Sequence, residues 1–414
     1  MKYIYLDHSA TTPVDADIVK SMLPYLSTKY GNASSIHYFG QEAMSAVETA
    51  KSACADFLNC KNDEVIFTNG ATESNNLAIF GVIEALQRKN PDQKLHLITS
   101  VVEHDSVIEP MGKLRKMGVD VTFLGVKANG VVDIDEFKAA IKENTVLVSV
   151  MYVNSEVGAI QPIKEIGKII HNHNGAKLRQ WKKYSVNERG DKPQPIIFHT
   201  DATQAGNYLS CDVDHLYVDL LSLSAHKLYG PKGIGLLYVR YGTPIIAQQL
   251  GGHHQNNRRS GTLNTPGIVG LGRALKKITP KYREVQNKKI SIIRDYLVTG
   301  ILKTIPETIL NTDRQVATPG HAHFSFLGVE GESILIALDM AGICVSTGSA
   351  CASNSLKASH VLIAMGIKVE VAHGSLRITL GKYNTKAEMD MLIKTLPPII
   401  SNLRKINPLY KKST

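Results

Sequence analysis

The sequence predicts an α/β fold, a largely parallel sheet followed by a smaller α+β body, and three observations lead there. Apolar runs alternate with segments of helical period. Most of those runs are rich in Val, Ile and Leu instead of alternating with polar residues. The texture then changes beyond about Ile268. Alternation of the first kind is the pattern of βαβ units, and continuous apolar strands belong to sheets covered on both faces. The 414 residues carry 43% hydrophobic and 20% charged side chains, enough for a large core and too ordinary for a disordered or fibrous chain.

Taken in order, the first dozen residues are too short to stand alone and are expected to dock on one of the two bodies. An amphipathic helix is predicted over 40–58. Strands follow at 64–68, 95–100, 121–124, 145–153, 195–200 and 220–223, with a further pair flanking the Gly-rich stretch 230–235. Thr279-Pro280 opens a long helix over 281–301, since Thr suits an N-cap and Pro the first helical position. Strands at 321–326 and 376–380 complete the smaller body. The expected division is a large domain over 15–262, with 1–14 and 263–414 forming the small one. Residues 174–194, with six basic residues against two acidic, read as a surface excursion.

Forty-seven Lys and Arg against thirty-seven Asp and Glu give a net charge of +10. Spread over this length, with few blocks of like charge and no aromatics interleaved with them as stacking platforms, the excess describes a solvated basic surface better than a nucleic-acid footprint. No signal-peptide pattern opens the chain and no run of about eighteen apolar residues occurs, so neither export nor membrane insertion is expected. Five cysteines, Cys54, Cys60, Cys211, Cys344 and Cys351, are an odd number without CxxC pairs. They fit neither a disulfide framework nor a metal site, and a reducing cytoplasm is expected.

Chemistry concentrates in three places. In Ser224-Ala225-His226-Lys227, a lysine stands at a strand end before Gly-rich turn residues, where a desolvated amine can form a Schiff base. Asp201, closing the strand His199-Thr200-Asp201, is a carboxylate at the sheet's C-terminal edge, placed to pair with a protonated pyridine nitrogen. Between Thr68 and Asn75 a strand gives way to small and hydroxyl residues that open a helix, including Ala71 and Thr72, and free N–H groups there suit a phosphate ester.

In that chain order these features resemble the class V aminotransferases, and within them the cysteine desulfurases of the NifS/IscS-like kind. The resemblance runs through Leu6-Asp7-His8-Ser9-Ala10-Thr11-Thr12-Pro13, Tyr30-Gly31-Asn32-Ala33-Ser34-Ser35-Ile36-His37, Ala71-Thr72-Glu73-Ser74-Asn75-Asn76 and Val102-Glu103-His104. It continues in Val153-Asn154-Ser155-Glu156-Val157-Gly158, Arg259-Ser260-Gly261-Thr262 and Ser346-Thr347-Gly348-Ser349-Ala350-Cys351. Ala33, Ser155 and Ala225 depart from the family pattern by small changes in volume.

The resemblance implies a pyridoxal 5′-phosphate enzyme of fold type I with a mainly parallel seven-stranded sheet. It makes Lys227 the cofactor-linked lysine and proton carrier, Asp201 the partner of the pyridine nitrogen, and Gln204 that of the phenolic oxygen. His104 would stack on the ring and join the catalysis. Ala71, Thr72, Ser224 and His226 would hold the phosphate, with Thr262 reaching in from the second subunit of a homodimer. Asn154, which would also touch the cofactor, and Arg377 would take the substrate carboxylate. Cys351, on a mobile loop over about 344–356, would receive sulfur from L-cysteine as a persulfide for a sulfur acceptor or iron–sulfur scaffold protein. Two other readings remain open: a related selenocysteine lyase or class V aminotransferase, and a basic adaptor that binds tRNA or an acidic scaffold.

Overall fold

The expected apolar runs become strands, and their burial explains why. In chain order β1 (Ile4–Tyr5) is followed by β2 (Val65–Thr68), β3 (His96–Ser100), β4 (Asp120–Leu124), β5 (Thr145–Ser149), β6 (Ile197–Asp201), β7 (Leu220–Ser224) and β8 (Gly235–Val239). The computed structural model describes residues 3–184, 191–348, 358–408 and 410. Strands β2 to β8 form one seven-stranded sheet in the order β2-β8-β7-β6-β5-β3-β4, parallel throughout except for β8, which opposes both its neighbours. The interior strands β3, β5, β6, β7 and β8 are buried along their length, whereas edge strand β4 is partly open. That is the burial expected of a sheet with helices on both faces.

One face carries the helices Ala71–Lys89 and Asp105–Lys116, whose Leu77, Val82, Val107 and Met111 pack on Leu97, Leu147 and Leu220. The other face carries Tyr38–Leu58, Ile163–Lys182 and Thr265–Lys277. The first and last of these three approach closely: a Cβ at Gly272 would lie 2.7 Å from the Ala50 Cα. Ile268, Leu271 and Leu275 bury in the same core, so the helix that the sequence division put beyond residue 262 packs with the large body.

The helix Ile163–Lys182 also corrects the sequence reading of 174–194 as a loop over its first part. Gly175 does not break it, and Asn174, expected to begin the excursion, exchanges two 2.9 Å hydrogen bonds with the main chain of Ile196 just ahead of β6. Residues 185–190 lie outside the described residues.

The smaller body contains β9 (Thr308–Leu310), β10 (His321–Phe326), β11 (Ile343–Cys344) and β12 (Ser375–Thr379). Strands β12, β10 and β9 form an antiparallel sheet that sets Arg377 opposite His323, while β11 takes β1 as its parallel partner. The helix Pro280–Thr304 starts as predicted, with the Thr279 hydroxyl accepting from the Tyr282 N–H. The helix Lys386–Ile406 opens with a reciprocal pair between Thr385 and Glu388. Among the described residues no helix is long and apolar enough to cross a membrane.

A charged knot ties the two bodies together. Asp15, 4% exposed, accepts from Lys277 (2.7 Å), Lys382 (2.6 Å) and the Tyr383 hydroxyl (2.6 Å). The Lys382 ammonium lies 3.9 Å from the Tyr229 ring centroid. Burial opposes ionisation of Asp15, but these three donors outweigh it and hold its carboxyl below the ordinary carboxylate range. Its contribution is therefore present above that range and is lost as pH falls through the depressed value. Asp15→Asn is expected to cost about 3 kcal/mol at neutral pH, read from urea unfolding midpoints, because it strands the largely buried Lys382. A loss below about 0.5 kcal/mol would contradict this role.

Candidate active site

The C-terminal ends of the parallel strands open into one cleft of about 1000 Å³, the position where open α/β sheets take ligands. Three strand ends supply its chemistry. The chain leaves β2 through Gly70, at φ +137°, and enters the 19-residue helix Ala71–Lys89 with no side-chain cap on its first N–H groups. Ala71 and Thr72 line the cleft at that helix start, and Ser224, His226 and Lys232 line it as well. Such a helix start beside a lysine is a site for a dianionic phosphate.

Asp201 ends β6 with both carboxylate oxygens held: Oδ1 accepts from the Thr203 N–H (2.9 Å) and Oδ2 from Asn75 Nδ2 (2.7 Å). The Thr203 hydroxyl beside it lines the cleft and, although buried, has no hydrogen-bond partner. Lys227 ends a 3-10 turn after β7, and its ammonium donates to the carbonyls of Ser9 and of Ala10, the second at 2.7 Å. Its own carbonyl accepts from Asn207 (2.6 Å). An oriented carboxylate, an amine, an uncapped helix start and an unsatisfied buried hydroxyl together fit a phosphorylated pyridine aldehyde such as pyridoxal 5′-phosphate.

Gln204 lines the cleft with its amide donating to Ser9 O (2.9 Å). His104, in the turn after β3, caps the helix Asp105–Lys116 by accepting from the Ser106 N–H (3.1 Å). Arg377 reaches the cleft from β12; it donates to Asp7 Oδ1 (2.9 Å) and the Ser155 carbonyl (3.3 Å), and its Nε–H has no partner.

Asn154 and Thr262 stand apart from the cleft lining. Asn154 is 1% exposed, its amide spent on the Val102 carbonyl and on the N–H groups of Glu156 and Val157, so that Ser155 faces the cleft in its place. Thr262 is exposed. Cys351 lies outside the described residues, but the chain on either side of it is placed. Ser346 pairs with Arg377, a Cβ on Gly348 would lie 2.5 Å from Glu156 Oε2, and Ser359 donates to that same oxygen at 2.5 Å.

Sequence reasoning gave no role to Thr11, Ser106, Lys232 or the Asn75 amide. Lys232 stands in the Gly-rich turn five residues beyond Lys227, and that proximity was the one available signal. Burial neutralises much of the surroundings. It drives His226 down to about 4, helped by Lys227 and Lys232, and His321 and His323 down to about 3. It raises the thiols of Cys60 and Cys211 to about 12 and that of Cys54 further, marking these as packing residues. No cluster of metal-ligating side chains occurs among the described residues.

The profile of the family described as Aminotransferase class-V matches residues 4–179 and 187–392. The chain belongs to that family. Among its relatives, "Cysteine desulfurase IscS" of Dictyoglomus turgidum is 45% identical over 99% of this chain and 97% of its own length. The protein of the same name from Methanosarcina thermophila is 42% identical over 99% and 95%. A solved "NifS-like protein" superposes with a TM-score of 0.85 at 34% identity, covering 97% of this chain and all of its own. The fold of this class-V chain is thus that of the NifS-like enzymes.

Beneath the class-V cleft, Glu103 is 1% exposed, and burial pushes its carboxyl up to about 8 against hydrogen bonds from Ser100 and the Met151 N–H. In the unfolded chain an ordinary glutamate titrates near ~4.3. The folded state therefore keeps a proton that the unfolded state has lost, and the associated stability, full at low pH, drains away as pH rises to about 8. Glu103→Gln has no such proton to lose. Its stability relative to the parent is expected to improve steadily between about pH 5 and pH 8 in urea titrations; a constant difference would contradict the assignment.

Proposed function

We propose that the chain is a pyridoxal 5′-phosphate-dependent cysteine desulfurase, which converts L-cysteine to L-alanine and keeps the sulfur as a persulfide on Cys351. The observation that carries this reading is the meeting of Lys227, Asp201, Arg377 and an uncapped helix start in one cleft. The full-length likeness to proteins named cysteine desulfurase supports it, as does a structure described as "SspA in complex with cysteine", 34% identical with a TM-score of 0.76 over 92% of this chain and all of that one.

When bound, the cofactor supplies an aldehyde that captures amines and an electron sink for negative charge at the substrate Cα. The chain's own residues bind and orient. Ala71, Thr72, Ser224, His226 and Lys232 hold the phosphate, Asp201 pairs with the ring nitrogen, Gln204 with the ring oxygen, and His104 covers the ring. Arg377 takes the cysteine carboxylate, a planar anion that suits a guanidinium fork, while Asn154 steadies the turn behind it. Lys227 takes the proton from the substrate Cα.

The Cys351 thiolate then bonds to the substrate sulfur as the Cβ–S bond breaks. The electron pair of that bond stays with the carbon skeleton, which gains a proton at Cβ and leaves as alanine. Cysteine plus the Cys351 thiol thus give alanine plus Cys351–S–SH, with atoms and electrons balanced. In the same proposal the enzyme works as a homodimer whose second copy contributes Thr262, in the reducing cytoplasm. It passes sulfur to an acceptor or iron–sulfur scaffold protein.

The test is to incubate the protein with L-cysteine and measure alanine and sulfide together, with and without reductant. Equal amounts are expected when reductant is present. Cys351→Ser should keep the cofactor's colour and lose sulfide release by more than about a hundredfold, and Lys227→Ala should lose both. Sulfide at the parental rate from Cys351→Ser would refute the nucleophile assignment.

A further inference from the structure

Three buried side chains and the half-buried His104 form an unbroken hydrogen-bonded chain along one wall of the cleft. Asn75 is wholly buried on the inner face of the helix Ala71–Lys89, and its Nδ2 donates both to Asp201 Oδ2 (2.7 Å) and to Ser106 Oγ (2.9 Å). Ser106 Oγ in turn lies 2.8 Å from His104 Nδ1, and the Ser106 N–H reaches that same nitrogen at 3.1 Å.

The direction of each bond follows from the one before it. A carboxylate only accepts, so Asp201 fixes which end of the Asn75 amide faces it. That end is NH2, and the Asn75 Oδ1 is left buried with no partner. Leaving a buried acceptor unsatisfied is costly, so the amide is held by what its two N–H groups reach. Ser106 Oγ receives one of those N–H groups, which leaves its single proton for His104 Nδ1. With the backbone N–H of Ser106 also aimed there, Nδ1 is an acceptor and the ring proton sits on Nε2.

We propose that Asn75 and Ser106 are positioning residues that hold His104 as its Nε2–H tautomer and make that state depend on the carboxylate of Asp201. This deepens the proposed function, in which His104 and Asp201 are the face and edge partners of one cofactor. Any proton His104 exchanges in the cleft then passes through Nε2, and loss of charge at Asp201 is felt at a ring it does not touch.

The test is a two-bond proton–nitrogen correlation spectrum of the full-length, histidine-labelled protein, with His104 assigned by the loss of its signals in His104→Gln. The parent is expected to show His104 as Nε2–H. In Ser106→Ala the ratio of the Nε2–H to the Nδ1–H form should fall about fivefold, the worth of one neutral hydrogen bond, and Ser106→Thr should restore it. Asp201→Asn should lower the ratio too, although it removes no contact of His104; a merely structural role for Asp201 would leave it unmoved. An Nδ1–H parent overturns the proposal, and so does a ratio unchanged in both Ser106→Ala and Asp201→Asn. The spectrum is readable on the protein without cofactor, so a chain that never takes pyridoxal 5′-phosphate would refute the proposed function and leave this result standing.

Discussion

The strap of residues 7–15, which turns at 8–10, is the constraint on which the rest of the structure depends. Lying outside the large sheet, its backbone groups must find partners elsewhere, and they find them on every side of the cleft. The Thr12 N–H and hydroxyl both donate to the His226 carbonyl (2.8 and 2.9 Å), and the Thr12 hydroxyl accepts from the Tyr229 N–H (2.8 Å). Ser9 takes Gln204 and Lys227 on its carbonyl, gives its N–H to Thr379 (2.9 Å) and its hydroxyl to Ser155 (2.6 Å). Asp7 holds Arg377, and Asp15 gathers Lys277, Lys382 and Tyr383. One strap therefore sets the lysine turn of the large body and the guanidinium of the small body in the same frame.

Electrostatics follow from that packing. Burial disfavours charge on the carboxyls of Glu103 and Glu156, which it shifts upward, and on the imidazoles of His226, His321 and His323, which it shifts downward. The cleft is lined by the basic side chains of Lys227, Lys232 and Arg377 and by the carboxyls of Asp201 and Glu73, of which Glu73 is already engaged by Arg259. A pocket with a surplus of fixed positive charge and few competing anions draws a phosphate and an amino-acid carboxylate together. In the proposed function Asp201 pairs with a ring nitrogen, a reading supported by the way a backbone N–H and the Asn75 amide, neither of them charged, hold its two oxygens.

Much of this was legible in the sequence, because strand runs and strand-end motifs are local. The Val, Ile and Leu runs became the sheet, Thr279-Pro280 opened its helix, and Ser224-Ala225-His226-Lys227 and His199-Thr200-Asp201 ended adjacent strands. What stayed hidden depends on partners distant in sequence. Nothing near Thr11 announces that it will meet His226, nor does the neighbourhood of Asn75 announce Ser106 and Asp201. Residues 174–182 looked like a loop because Gly175 and the charges outweighed helix propensity; the Asn174 bonds to Ile196, which no local pattern encodes, help secure the helix there. Asn154 carries the family motif, yet its amide is used up by the Val102 carbonyl and by the N–H groups of its own turn.

The most direct test of the whole account is to mix the protein with pyridoxal 5′-phosphate, trap any amine–aldehyde linkage with borohydride, and map the modified peptide by mass spectrometry. The account predicts stoichiometric labelling confined to Lys227. Labelling spread over surface lysines, or none at all, would contradict it.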